Sequence, residues 1–209
     1  MISIVDYGVG NLGSMLNMLR KIGAQAQLVS TPEQVERATK LVLPGVGSFG
    51  AGMAALRERG LVKPLRSKVR QDRTPLLGVC LGMQLLGRRS EEGQADGLGL
   101  IDAEVRRLQP APESGCKVPH MGWSMLSPTR DGTLLRGLDA RSRFYFCHSY
   151  HLVCADPADV LARAAYGGGF VAMVQHKNMV GVQFHPEKSH RFGMALLLNF
   201  AEIPDCKYA

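Results

Sequence analysis

The stretch Pro75-Leu76-Leu77-Gly78-Val79-Cys80-Leu81-Gly82-Met83-Gln84 decides the fold. Its first half is a short apolar run, the mark of a strand covered on both faces. Its second half opens a helix near Leu81, and the junction reads Gly-x-Cys-x-Gly from Gly78 to Gly82. That spacing is the thiol counterpart of a nucleophile elbow, a sharp strand-to-helix turn that presents one reactive side chain. The turn strains the backbone at the nucleophile, and side chains two positions to either side would collide with it. It also places the Cys80 sulfur at a helix N-terminus, where N–H dipoles favour thiolate. The amide of Leu81 is then aimed at a developing oxyanion. The plainer alternative is a buried cysteine closing a core strand, with glycines needed only for close packing.

Outward from the elbow, the first 90 residues keep the same rhythm. Ile2 to Val5, Ala26 to Val29 and Lys40 to Leu43 read as further strands. Glycines 8 and 10 open a turn, and Leu12, Met15, Leu16, Leu19 and Ile22 recur at helical spacing. A short helix from Pro32 to Ala38 starts on proline, and a helical stretch follows Pro44-Gly45 to about Val69. Such βαβα alternation predicts a parallel sheet with helices on both faces.

The second half predicts strands over Ala103–Leu108, Arg143–Val153, Leu161–Ala165, Val171–His176 and Val180–Phe184. A hairpin connection falls at His176-Lys177-Asn178-Met179. A closing amphipathic helix runs from Ser189 to Ala201, with Phe192, Leu196, Leu197 and Phe200 on one face. The expectation is one α/β domain over residues 1–209, its mostly parallel mixed sheet flanked by helices and its second half rich in antiparallel strands.

Totals bound the function. With 45% hydrophobic residues in 209, the chain can bury a full core. Its five cysteines (80, 116, 147, 154 and 206) are odd in number and lack a C-x-x-C pair. That argues against a disulfide framework or a zinc knuckle and for a reduced, cytoplasmic setting. No metal or cofactor is expected. The start MISIVDYGVG has no basic leader and is broken at Asp6. No apolar run approaches the roughly 20 residues that span a bilayer. The formal charge of +7 owes much to seven Lys/Arg between Arg57 and Arg73. Without interleaved aromatics, that run reads as a solvated helix surface rather than a nucleic-acid site.

Two other segments complete a site. In Gly181-Val182-Gln183-Phe184-His185-Pro186-Glu187, residues two apart in extended chain point the same way, so Glu187 can flank His185. A carboxylate beside an imidazole fixes its tautomer and stabilises the imidazolium, which gives a Cys-His-Glu triad with the acyl group carried on sulfur. A satisfied histidine at a strand end is the plainer alternative, and histidines 120, 148, 151, 176 and 190 compete. None of those has a carboxylate two positions on. In Leu43-Pro44-Gly45-Val46-Gly47, glycines on both sides of Val46 would let that peptide turn an N–H toward the intermediate. A simple Pro-Gly turn is the competing account.

With these segments in hand, the chain resembles the class I, triad-type glutamine amidotransferases, a flavodoxin-like family. More narrowly it is similar to the glutaminase subunits of imidazole glycerol phosphate synthase. The resemblance is carried by Asp6 to Leu12, Pro44 to Gly47, Gly78 to Gln84, Val118 to Trp123, His148-Ser149-Tyr150 and Gly181 to Ser189. It implies that Cys80 attacks the amide of L-glutamine, that His185 protonates the departing ammonia and that Glu187 holds His185. Gly45, Val46, Gly47 and Leu81 would supply the oxyanion site. Gln84, with backbone around Ser149 and Tyr150, would hold the substrate. Asn11 and the loop Pro119-His120-Met121-Gly122-Trp123 would face a partner, a (β/α)8-barrel cyclase that consumes the ammonia. A glutaminase fold of 209 residues leaves no room for that second chemistry. Ser124 stands where the family usually has Asn, and His151 after His148-Ser149-Tyr150 together with the segment His190 to Met194 resemble a second branch, whose members supply ammonia for amidino sugars of surface polysaccharides.

Overall fold

The computed structural model describes residues 1–205, and Cys206 lies outside the described residues. In chain order the first half comprises β1 (Ile2–Val5), α1 (Leu12–Lys21), β2 (Ala26–Val29), α2 (Pro32–Arg37), β3 (Leu41–Leu43), α3 (Phe49–Glu58), α4 (Val62–Arg70), β4 (Leu76–Val79) and α5 (Leu81–Leu85). The short strands β5 (Arg89–Ser90) and β6 (Ala95–Asp96) follow, then β7 (Ala103–Arg107), β8 (His120–Met125), β9 (Ser127–Pro128) and β10 (Arg143–His148). The chain closes with β11 (Tyr150–Cys154), β12 (Val160–Ala164), β13 (Phe170–His176), β14 (Met179–Val182) and α6 (His190–Ala201).

The main sheet has eight strands in the order β2-β1-β3-β4-β14-β13-β12-β9. From β2 to β14 neighbouring strands are parallel; from β14 onward they are antiparallel. Two small sheets, β10-β8 and β11-β7-β5-β6, complete the second half. Period-2 geometry divides the core into two faces. Leu41 and Leu43 join one apolar cluster with Tyr7, Phe49 and Leu81, whereas Val42, Leu77 and Val79 join the other with Phe144, Phe184 and Phe200. Strands β1, β3, β4 and β14 are buried at every position, which explains their nearly unbroken apolar runs, with Ser3 of β1 the one polar side chain. The closing helix buries Leu196, Leu197 and Phe200 as its spacing predicts.

Local chemistry explains the helix ends. Thr31 and Gln34 form a capping box around Pro32 at the start of α2. The helical stretch expected up to Val69 divides into α3 and α4, because Gly60 adopts a φ of +67° and ends the first helix. The basic run is more than a solvated surface. Arg57, Arg66 and Arg70 donate to the carbonyls of Asp96, Leu98 and Gly99, fastening α3 and α4 to the end of β6 and the loop that follows it.

Two segments differ from the sequence expectation. Arg143–Val153, read as one strand, parts at Ser149: β10 pairs with β8, and β11 pairs with β7. No glycine or proline marks that transfer between sheets. The segment Pro119–Trp123, read as a loop, is largely strand β8, with only Pro119 ahead of it. Its outward side chains Met121, Trp123 and Met125 are 61%, 43% and 60% exposed. Apolar residues on the outer face invert the usual alternation, which hid the strand.

Candidate active site

The parallel order places the ends of β3, β4 and β14 side by side, and carboxyl ends of such strands are where sites gather. Each strand then delivers a segment picked out above: Gly45-Val46-Gly47 after β3, Cys80 after β4, His185 and Glu187 after β14.

Cys80 has φ 53° and ψ −110°, a strained conformation for a residue with a side chain. Its N–H donates to Val182 O at 2.8 Å, tying the turn to β14. The flanking glycines are a steric requirement. A Cβ on Gly78 would lie 2.7 Å from Gly82 O, and one on Gly82 would lie 1.8 Å from Leu43 O. Gly82 thus lets α5 start in contact with the end of β3. A Cβ on Gly45 would be 2.6 Å from the Tyr7 hydroxyl and 2.9 Å from Leu81 Cβ, so the segment after β3 lies directly against the elbow. Tyr7 donates to Pro44 O at 2.7 Å from beneath, and burial, with Cys80 adding to it, pushes its phenol far above the ordinary range.

His185 and Glu187 form a buried pair, with Nδ1 and Oε1 2.9 Å apart and side chains 4% and 3% exposed. Burial alone would lower the imidazole, but its interactions with Cys80 and Glu187 outweigh it and push His185 up to about 10. His185 therefore holds a proton at neutral pH while coupled to the sulfur. Glu187 Oε2 is buried without a hydrogen-bond partner, so the carboxylate spends one oxygen on His185.

These groups open into a cavity of about 360 Å³ lined by Val46, Gly47, Cys80, Leu81, Gln84, Glu92, Pro119, Cys147, His148, Ser149, Tyr150, His185 and Lys188. Gln84 is buried, and its amide nitrogen donates to Tyr150 O at 2.9 Å and to Gln183 Oε1 at 3.0 Å. The carbonyls of Ser149 and Tyr150 already accept bonds within the protein. A larger cleft of about 960 Å³ lies at the opposite end of β4 and β14, beside Pro75 and Asn178. It is lined by none of the residues expected in the triad, the oxyanion site, the substrate site or the partner surface.

The expected partner residues separate. Asn11 is half-buried at the start of α1, Pro119 is exposed, and Met121 and Trp123 face outward from β8 on either side of half-buried Gly122. Trp123 stacks on His190 with ring centroids 5.5 Å apart, and the Arg143 guanidinium lies 5.8 Å above its ring. His120 instead points inward at 2% exposure, a correction to the expectation that it faces a partner. It stacks between Phe146 and Tyr166, because alternation along β8 turns it away from Met121. Burial lowers His120 to about 4 and His148 to about 3, so both are neutral at physiological pH. Their bonds form a row: Ser124 Oγ to His120 Nε2 at 3.2 Å, His120 Nδ1 to His148 Nε2 at 3.4 Å, and His148 Nδ1 to Tyr150 O at 2.9 Å.

Sequence reasoning missed Glu92 and Gln183. Glu92 sits in the charged stretch Glu91-Glu92-Gly93-Gln94, where nothing local marks it. Its Oε2 accepts from Phe49 N at 2.8 Å, holding it at the cavity by the start of α3. Gln183 did carry a signal, as a polar residue inside the apolar run that leads to His185.

A thiol on a strained elbow, a buried imidazole–carboxylate pair and glycines at a neighbouring strand end form an acyl-transfer arrangement on a mixed α/β sheet. The chain belongs to the glutamine amidotransferase class-I family, whose model matches residues 3–203. Among curated proteins it is 51% identical over 203 residues to imidazole glycerol phosphate synthase subunit HisH 2 of Pseudomonas aeruginosa, covering 97% of this chain and 100% of the relative. It is 49% identical to HisH 2 of Methanococcus maripaludis (96% and 98% covered) and 45% identical to HisH of Bdellovibrio bacteriovorus (97% and 100%). A solved glutamine amidotransferase shares the fold with TM-score 0.72 at 21% identity, covering 97% of this chain and all of that one. PurLQS from Thermotoga maritima does so with TM-score 0.73 at 18% identity, covering 95% and 96%. Among the described residues, no helix is long and apolar enough to cross a membrane.

Proposed function

We propose that this chain is the glutaminase subunit of an imidazole glycerol phosphate synthase, and that it passes ammonia to a (β/α)8-barrel cyclase. The observation that carries the proposal is the meeting of Cys80, on its positive-φ elbow, with the buried His185–Glu187 pair in one cavity.

In this reading Cys80 Sγ bonds to the side-chain carbonyl carbon of L-glutamine. The Leu81 N–H, at the start of α5, and the peptide around Val46 stabilise the oxyanion. His185 gives its proton to the departing nitrogen, ammonia leaves, and a glutamyl thioester remains. Water then adds to the thioester with His185 as base, and glutamate departs. Glu187 keeps Nδ1 of His185 engaged throughout. Gln84 and the backbone at Ser149 and Tyr150 hold the substrate, and the Glu92 carboxylate at the cavity is suited to its α-ammonium group. Asn11, Pro119, Met121 and Trp123 contact the cyclase, which biases the Val46 peptide toward an oxyanion-competent state.

A second reading rests on His151 after His148-Ser149-Tyr150 and on the segment His190 to Met194: the same glutaminase serving an enzyme that makes amidino sugars for surface polysaccharides. Co-purification with candidate cyclases, with glutamate release measured with and without the cyclase's ligand, separates them. Stimulation by a histidine-pathway cyclase and rescue of a histidine auxotroph are expected. Failure of both, with stimulation by a sugar-pathway enzyme, would transfer the assignment.

A further inference from the structure

Gln183 is fully buried one residue beyond β14, at the point where the chain turns from the sheet toward His185. Its backbone N–H continues the sheet by donating to Ala172 O at 2.9 Å. Its side chain has two neighbours: Oε1 accepts from Gln84 Nε2 at 3.0 Å, and Nε2 lies 3.7 Å from Cys80 Sγ, within hydrogen-bonding range for sulfur. The orientation of this carboxamide follows from the network. Tyr150 O can only accept, so the atom of Gln84 that meets it at 2.9 Å must be nitrogen. The atom of Gln183 facing that nitrogen must then be oxygen, which leaves the Gln183 NH2 toward the sulfur. A buried carboxamide is costly unless bonded, and a methionine or leucine would fill the same volume without that penalty. The glutamine needs a reason to be there, and the sulfur supplies one.

We propose that Gln183 is the positioning residue of the nucleophile: it holds the Cys80 sulfur by an N–H bond, while Gln84 locks the carboxamide that does so. The proposal rests on the reading of Cys80 as the glutaminase nucleophile. Its chemical effect falls on both half-reactions. An N–H donor favours the thiolate over the thiol before attack. In thioester hydrolysis, water adds to the carbonyl carbon and gives its proton to His185. The C–S bond then breaks, its electron pair returns to sulfur and glutamate leaves. The donor stabilises that departing thiolate. Gln84 thereby acts in two places, at the substrate and, through Gln183, on the sulfur.

Other ionisable groups also face Cys80: His185 with Glu187 after β14, Tyr7 after β1, His148 on β10, and Glu92 and Lys188 at the cavity. They are the same in every variant compared, so a difference between variants reports the Gln183 contact.

The test is the pH dependence of Cys80 alkylation by iodoacetamide in the full chain. The modified peptide is quantified by mass spectrometry, because Cys116, Cys147 and Cys154 are also free. Gln183→Met is expected to move the Cys80 titration upward by about one pH unit, about tenfold less thiolate at a given pH. Gln84→Met, which unlocks Gln183 without removing it, should move it the same way by less. With glutamine present, Gln183→Met should also retain a larger fraction of glutamyl thioester on Cys80. A structural role alone would lower the denaturation midpoint of both variants and leave their titrations on the wild-type curve, and that result overturns the proposal. Should Gln183→Met fail to fold, an unshifted Gln84→Met overturns it equally. If Cys80→Ala left glutamine-dependent synthesis with the cyclase intact, the glutaminase reading itself would fall.

Discussion

Gly82→Ala is the most exacting perturbation this structure offers. The added Cβ would stand 1.8 Å from Leu43 O and 2.8 Å from Leu43 C, both backbone atoms that cannot rotate away. Real Cβ atoms essentially never approach closer than 3.0 Å, so α5 and the end of β3 must part by at least 1.2 Å. That parting separates Leu81 N–H from Gly45-Val46-Gly47, the two halves of the proposed oxyanion site. Overpacking of this kind costs about 1–3 kcal/mol of stability, and a shift of about 1 Å at a reacting centre costs on the order of 100-fold in rate. Urea denaturation followed by circular dichroism gives the first quantity, and glutamate release in complex with the cyclase gives the second. Gly13→Ala is the control. Nothing lies within 4 Å of its added Cβ in α1, and it should raise stability by about 0.5–1 kcal/mol. If Gly82→Ala matched wild type in both measurements, the steric account of the elbow would be wrong.

The remaining expectations follow the same geometry. Glu187→Gln keeps the shape beside His185 but removes the charge that helps hold its proton; kcat should fall by about 100-fold or more with the fold intact by circular dichroism. Glu92→Gln should raise KM for glutamine much more than it lowers kcat in steady-state assays, since its carboxylate is placed for the α-ammonium rather than the scissile amide. His148 and His120 lie below the unfolded histidine value near 6.5, so the unfolded chain binds more protons between roughly pH 4 and 6.5. Their contribution is complete above about 6.5 and lost as pH falls through about 4 for His120 and about 3 for His148. A urea midpoint that rises with pH across that window is expected, with a shallower rise in His148→Phe, where His120 alone remains. His185 runs the opposite way: raised to about 10, it contributes fully below 6.5 and loses its contribution as pH climbs through 10.

The parallel half of the sheet was legible because strands buried on both faces leave unbroken apolar runs, as Leu41–Leu43 and Leu76–Val79 do. The elbow was legible because its glycines obey a steric rule that needs no knowledge of distant contacts. The second half resisted reading where pairing partners decide the structure. Ser149 divides two strands only because β8 and β7 claim different sides of it. Within the cavity, Gln84 is marked by the family resemblance rather than by any pattern of its own. Glu92 reaches the cavity through a bond to Phe49 N, 43 residues away in sequence, and such a contact leaves no local trace. His120 is hidden for a simpler reason: β8 carries its apolar residues on the outer face, so its alternation does not point to an inward histidine.

The row from Ser124 through His120 and His148 to Tyr150 O has a fixed polarity. Its last member is a carbonyl, which cannot donate, so His148 must carry its proton on Nδ1 and His120 must do the same. Ser124 is left to donate its hydroxyl hydrogen inward, whatever stands outside. Any group that reaches the half-exposed Ser124 hydroxyl therefore meets its lone pairs alone. It must arrive with a hydrogen to give.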